Sequence, residues 1–266
     1  MSSPSNIALV TGASSGIGAV YAERLARRGH DLLLVARGAA RLEALAGRLR
    51  RETGRQVETL AADLQDPAAV EALAARLRDD AAITLLVNNA GMAQAGGVLQ
   101  TDPARLGAML QLNVLAAARL AQAAASAFQA RGGGTLVNIA SVLAVAPELF
   151  NGAYAASKAF LLVLSQGLAA ELQGSAVRVQ AVLPGATRTP IWDSAGVDLA
   201  SFPAGMVMAP EAMVDAALAG LDAGELVTIP SLPELADWQA VEAARLALAP
   251  NLSRDTPAPR YLPAAA

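Results

Sequence analysis

The 266-residue chain has no cysteine and one histidine, His30. Disulfides, thiolate metal sites and cysteine nucleophiles are therefore excluded. A single imidazole builds neither a histidine metal cluster nor a Ser-His-Asp triad, so no metal site is expected. His30 follows Gly29 at a helix end, which points to a surface or capping role. Aromatic residues make up only 3% of the chain, too few for base-stacking platforms. No run of Lys or Arg occurs, and the formal charge is −3, so no nucleic-acid partner is expected. The start, Met1 to Asn6, lacks a basic stretch, which argues against a secretory signal. Leu106–Ala118 and Ala159–Ala170 read as too short or too interrupted to span a bilayer. A cytoplasmic protein without membrane contact is expected.

What is present is an alternation. Short runs rich in Ile, Val and Leu read as strands: Ile7–Val10, Leu32–Ala36, Val57–Ala61, Ile83–Val87, Thr135–Ile139, Val177–Leu183 and Leu226–Ile229. Between them lie helical patterns near Gly16–Arg28, Ala40–Thr53, Pro67–Asp79, Pro103–Gln129, Ala153–Gln173 and Pro210–Ala223. Strands apolar on both faces, separated by helices, imply an α/β fold. The expectation is a single Rossmann-type domain over 1–266, a doubly wound parallel sheet of about seven strands flanked by helices. Asp66-Pro67 and Asp102-Pro103 mark helix starts. Past Leu248 the proline-rich tail, about 249–266, reads as extended.

The first strand runs directly into Thr11-Gly12-Ala13-Ser14-Ser15-Gly16-Ile17-Gly18. Glycines here allow a tight turn and close approach of a pyrophosphate, whose charge faces the N–H groups opening the next helix. The second strand ends in Ala36-Arg37, where a sheet that prefers NAD(H) usually carries an acid for the ribose hydroxyls. A guanidinium pairs instead with a 2′-phosphate, and Ser14 adds a hydroxyl. NADP(H) is favoured, with NAD(H) as the alternative.

Tyr154 and Lys158 stand at i and i+4 on one helix and share a face. Lys158 is the only charge between Glu148 and Glu171. A phenol near its usual pKa of about 10 is a poor base at neutral pH, and a neighbouring ammonium is expected to lower it. Ser141, at the end of the fifth strand, is in reach of the same crevice.

These residues resemble the short-chain dehydrogenase/reductase family from Ile7 to about Ile229. Thr11 to Gly18 looks like its TGxxxGIG motif, and Asn88-Asn89-Ala90-Gly91 like its NNAG motif. Asn113, Ser141, Tyr154 and Lys158 match its catalytic tetrad. Pro184-Gly185 and Thr189 match its PGxxxT stretch beside the nicotinamide. Asp63 matches its adenine-side residue. The resemblance implies an NAD(P)-dependent oxidoreductase acting on carbonyls and alcohols. It implies that Lys158 also bonds the nicotinamide ribose, and that Asn113 helps hold a relay water. Cofactor contacts are then Gly12, Ser14, Ser15, Gly16, Ile17, Gly18, Arg37, Asp63, Leu64, Asn89, Ala90, Gly91, Asn113, Tyr154, Lys158, Pro184, Gly185, Thr187 and Thr189. Asn88 reads as a structural hydrogen-bonder.

A substrate lid is expected over about 189–208, with Ile191, Trp192, Val197, Leu199, Phe202 and Met206 to Met208. With Leu143, Val145, Leu149 and Phe150 it implies an apolar pocket and a hydrophobic carbonyl substrate. Substrate contacts are assigned to Ser141, Leu143, Tyr154 and Trp192, although lid packing accounts for Trp192 as well. Arg188 is the only cation nearby. Trp238 reads as packing or interface. Two other functions fit the same fold: an epimerase or dehydratase, for which Asp193 and Asp198 are the lid's acids, and a cofactor sensor without turnover. No charge lies between Arg105 and Arg119, or from Ala159 to Ala170. An outer helix without a polar face needs a cover, so a homodimer or homotetramer is expected.

Overall fold

The computed structural model describes residues 6–262. It has two compact units, Met1–Pro230 and Ser231–Ala266. The whole sheet belongs to the first. The tail read over about 249–266 lies within the second unit.

The first unit holds seven strands: β1 (Ile7–Thr11), β2 (Asp31–Ala36), β3 (Val57–Ala61), β4 (Ile83–Asn88), β5 (Gly134–Ile139), β6 (Val177–Val182) and β7 (Val227–Thr228). They form one sheet in the order β3-β2-β1-β4-β5-β6-β7, every pair parallel. The last strand is two residues long, shorter than read, because only Val227 and Thr228 find partners on β6. The helices are α1 (Gly16–Arg27), α2 (Ala39–Thr53), α3 (Pro67–Asp79), α4 (Pro103–Leu110), α5 (Ala117–Ala130), α6 (Gly152–Glu171), α7 (Ile191–Ala195) and α8 (Pro210–Asp222).

The strand pattern explains the two layers. Successive side chains point to opposite faces. Ala8 and Val10 of β1 enter one core with Leu25 of α1, Leu42 of α2 and Met213 of α8. Leu9 enters the other, with Leu73 of α3, Phe128 of α5 and Leu168 of α6. Asp66 and Asp102 cap α3 and α4 through their carboxylates, as their place before proline implied. Gly29 (φ 93°) ends α1 in the left-handed region, and His30 N–H then reaches back to Leu25 O.

The helix read as continuous over 103–129 is broken. Gln111–Ala116 is a π-helical segment joining α4 to α5, with Asn113 buried in its middle. Apolar periodicity cannot register such a break, because one widened turn rotates the next few residues without changing their polarity. Helix α6 also departs from expectation. Taken over its full 20 residues it is long and apolar enough to cross a bilayer by composition alone. Its Leu161, Leu162 and Ser165 are nonetheless buried within this unit, as expected of a helix packed on a sheet.

The second unit contains α9 (Leu235–Leu246) and two short 3-10 turns, Ala249–Asn251 and Pro259–Tyr261. Trp238 is the buried residue of α9. Residues 249–262 are nearly all exposed.

Candidate active site

Strand order reverses between β1 and β4, and a crevice opens there beyond the carboxyl ends of the strands. Thr11 Oγ1 accepts the N–H groups of both Asn89 and Ala90 at 2.9 Å. Asn89 Nδ2 donates back to Thr11 O at 2.9 Å. The glycine turn after β1 is thus fastened to the turn after β4. Asn88 points elsewhere, donating to Ala117 O and to Asn138 Oδ1, which makes it a structural hydrogen-bonder.

The glycine turn fits a pyrophosphate. Gly12 and Gly16 have positive φ (66° and 54°). A Cβ at Gly12 would lie 2.7 Å from Asn89 Nδ2, and one at Gly18 would collide with Gly12 O. No side chain caps the first turn of α1, so its N–H groups are open to an anion.

One cleft of about 460 Å³ runs from this turn to the lid. It is lined by all the cofactor residues named from sequence except Gly18 and Asn113. Gly18 supports the turn from behind. Asn113 is fully buried; its Oδ1 accepts Met92 N–H and its Nδ2 donates to Met92 O, both at 2.9 Å. Nδ2 also donates to Ser157 Oγ at 3.1 Å, and Ser157 donates on to Tyr154 O. The Asn113 side chain thus holds backbone in place rather than facing the cleft.

At the β2 end, Arg37 is exposed and lines the cleft, and so does Arg41, one turn into α2. Arg41 was missed in the sequence, although its i+4 spacing from Arg37 was visible. At the opposite end stand Ser141, Leu143, Tyr154 and Trp192. Ser141 Oγ accepts Leu143 N–H at 3.2 Å. Phe150, Phe202 and Met206, also lining residues, complete an apolar wall. Arg188, Asp193 and Asp198 are exposed and lie outside the cleft lining.

Tyr154 and Lys158 are both buried, at 9% and 4% exposure. Lys158 Nζ donates to Ile139 O at 2.9 Å and lies 5.7 Å from the centre of the Tyr154 ring. Burial pushes the phenol above its ordinary pKa, against the expected lowering by the ammonium. Desolvation outweighs the neighbouring charge, whose strongest contact goes to a carbonyl. The same burial pulls Lys158 down to about 8.

Comparison with known proteins agrees with this layout. Residues 6–199 match the short chain dehydrogenase family. The chain belongs to that family. Among solved structures, it is similar to a short-chain dehydrogenase from Sphingobium yanoikuyae in complex with NADPH. They share 52% identity with a TM-score of 0.93, over 97% of this chain and 100% of that one. It is also similar to the bulky-bulky ketone specific alcohol dehydrogenase from Comamonas testosteroni. Here identity is 45% and the TM-score 0.90, over 98% of this chain and 100% of that one. Human 17-beta-hydroxysteroid dehydrogenase type 3 is 32% identical over 68% of this chain. The matched stretch spans 58% and 59% of the length of two curated relatives, the latter being the human enzyme.

The buried lysine has a measurable consequence. With a folded pKa of about 8 against the usual 10.5, the unfolded chain binds more protons between those values. Stability therefore rises with pH across that window, and the full penalty applies below it. Lys158→Met is expected to stabilise the cofactor-free protein at pH 7 by about 1–3 kcal/mol, with the gap closing towards pH 10.5. Thermal unfolding of both proteins across pH measures this; a wild type more stable than the variant at pH 7 would refute it.

Proposed function

We propose that the chain is an NADP(H)-dependent oxidoreductase interconverting a hydrophobic ketone or aldehyde and its alcohol. Its proposed setting is the cytoplasm, and its proposed assembly a homodimer or homotetramer. The reading rests on one continuous cleft with Arg37 and Arg41 at one end and Tyr154 at the other. Ala36 stands where an acid would repel a 2′-phosphate, and two guanidinium groups offer bidentate partners to one. The NADPH complex of the Sphingobium protein supports the cofactor. The ketone specificity of the Comamonas protein supports the substrate class.

A nicotinamide held in the cleft would supply the hydride donor or acceptor. Tyr154 passes its hydroxyl proton to the carbonyl oxygen in reduction and recovers it in oxidation. Ser141 donates a hydrogen bond to the same oxygen and sets its position. Lys158 would hold the nicotinamide ribose, and its ammonium, 5.7 Å from the centre of the Tyr154 ring, favours the phenolate form. Asn113 fixes Met92 and, through Ser157, the first turn of α6. The epimerase or dehydratase alternative lacks support, because Asp193 and Asp198 are exposed and Asp198 caps Ala200 N–H. The assembly reading draws on the exposed Leu115 (58%) and Val163 (64%), on the two uncharged stretches.

Replacing Tyr154 with Phe should lower turnover about 100-fold or more while NADPH affinity stays within a few-fold. Steady-state kinetics with fluorescence titration of NADPH tests this, and near-normal turnover would remove the assigned role. Arg37→Asp should cut the ratio of kcat/KM for NADPH over NADH by about tenfold or more, the worth of a charge-assisted phosphate contact. An unchanged ratio would make Arg37 a surface charge. Light scattering at micromolar concentration should give a mass of two or four chains; a stable monomer would rule out the assembly.

A further inference from the structure

The chain has nine aromatic residues: two Trp, three Tyr and four Phe. Four of them meet at the lid end of the cleft. Tyr154 packs edge to face with Phe150 (centroids 5.9 Å apart, planes at 84°). Phe150 packs the same way with Trp192 (5.9 Å, 83°), and Trp192 with Phe202 (5.3 Å, 65°). All four line the cleft. In a chain this poor in rings, aliphatic residues fill nearly all the cores, so this concentration is specific to the wall beside the reacting phenol.

Trp192 is the centre of the cluster and is fixed in place. Its indole N–H donates to Thr187 O at 2.7 Å. The one polar group of the side chain is thereby used, and the rest of the ring is hydrocarbon surface. The charged residues lining the cleft are Arg37, Arg41 and Asp63 at the cofactor end, and Lys158 beside the phenol. None stands beside Trp192. Ring faces are electron-rich and ring edges electron-poor, so a further ring entering such a cluster finds edge-to-face partners that a saturated ring of equal size does not.

Building on the oxidoreductase reading above, we propose that Trp192 is the specificity-determining residue of the site. It selects carbonyl compounds with an aromatic ring next to the carbonyl, seating that ring against Trp192 and Phe150. Lid packing, the other role open to this residue from sequence, is met by the same contacts, because the wall that closes the lid is the surface the substrate ring meets.

The test compares acetophenone with cyclohexyl methyl ketone, which differ in ring electronics far more than in size. Wild type should favour acetophenone in kcat/KM by about 3- to 10-fold, the size of one aromatic pair beyond area burial. Trp192→Leu should bring the ratio close to one, whereas Trp192→Phe, which keeps a ring but loses the N–H, should retain most of it. Equal loss in both variants would trace the effect to the Thr187 hydrogen bond and overturn the proposal, as would an unchanged ratio in Trp192→Leu. A second readout does not depend on turnover. In Trp238→Phe, Trp192 is the only tryptophan, and with NADP+ present its fluorescence should respond saturably to acetophenone at lower concentration than to the cyclohexyl ketone. If neither ketone is reduced but this difference is seen, the aromatic wall stands and the reductase reading fails. If the response is absent or equal for both ketones, the wall is refuted.

Discussion

The site depends on how two turns are held at the place where the sheet changes direction. In a parallel sheet the chain leaves every strand at the same edge. At the reversal the two turns part to opposite faces and open a gap between them. Left alone, their N–H and C=O groups would face this gap without partners. Thr11 and Asn89 close that account: one hydroxyl takes two N–H groups, and one amide returns a bond to the strand that supplied the hydroxyl. With β1 and β4 joined there, the glycine turn is rigid enough for its dense packing. That packing in turn leaves no space for a side chain at Gly12 or Gly18.

The opposite wall is built with the reverse emphasis, since it tolerates electrostatic cost. Tyr154 and Lys158 are buried together, and burial moves both towards their neutral forms. A neutral phenol is suited to giving a proton, whereas taking one from an alcohol needs the phenolate. In the proposed reaction, the oxidative direction would therefore depend on positive charge near the ring. Lys158 is the one fixed source of such charge in the cleft beside Tyr154. Its tie to Ile139 O, the last residue of β5, holds the ammonium at a set distance from the phenol.

How much of this was legible in the sequence varied with how local the signal was. The sheet, the glycine turn and the Tyr154–Lys158 face could be read because each is encoded by near neighbours: short runs apolar on both faces, a strand running into a turn, an i,i+4 pair. Arg41 carried the same kind of local signal relative to Arg37. The π-helical turn at Asn113 did not, because it arises from bonds to Met92 and Ser157, 21 and 44 residues away. Asn113 was singled out as a residue, yet its side chain braces the backbone and does not line the cleft. The burial of Lys158 was also hidden. An isolated charge on an apolar helix announces that it is unusual, but how far its pKa moves depends on strands distant in sequence.

Along the cleft, polarity changes from one end to the other, and this orders how ligands can bind. Guanidinium groups and open helix N–H donors gather at the β1 and β2 ends, where exposed charge acts at long range and is weakened by salt. Aromatic and aliphatic surface gathers under the lid, where attraction acts only on contact and grows with the area removed from water. The phosphates of the proposed dinucleotide would thus be drawn to one end, while an apolar molecule would be held at the other. A small, strongly charged substrate would find its partners at the wrong end, far from Tyr154. The two ligands proposed above would thus be sorted by the kind of force each responds to, and would meet where Tyr154 and Lys158 stand.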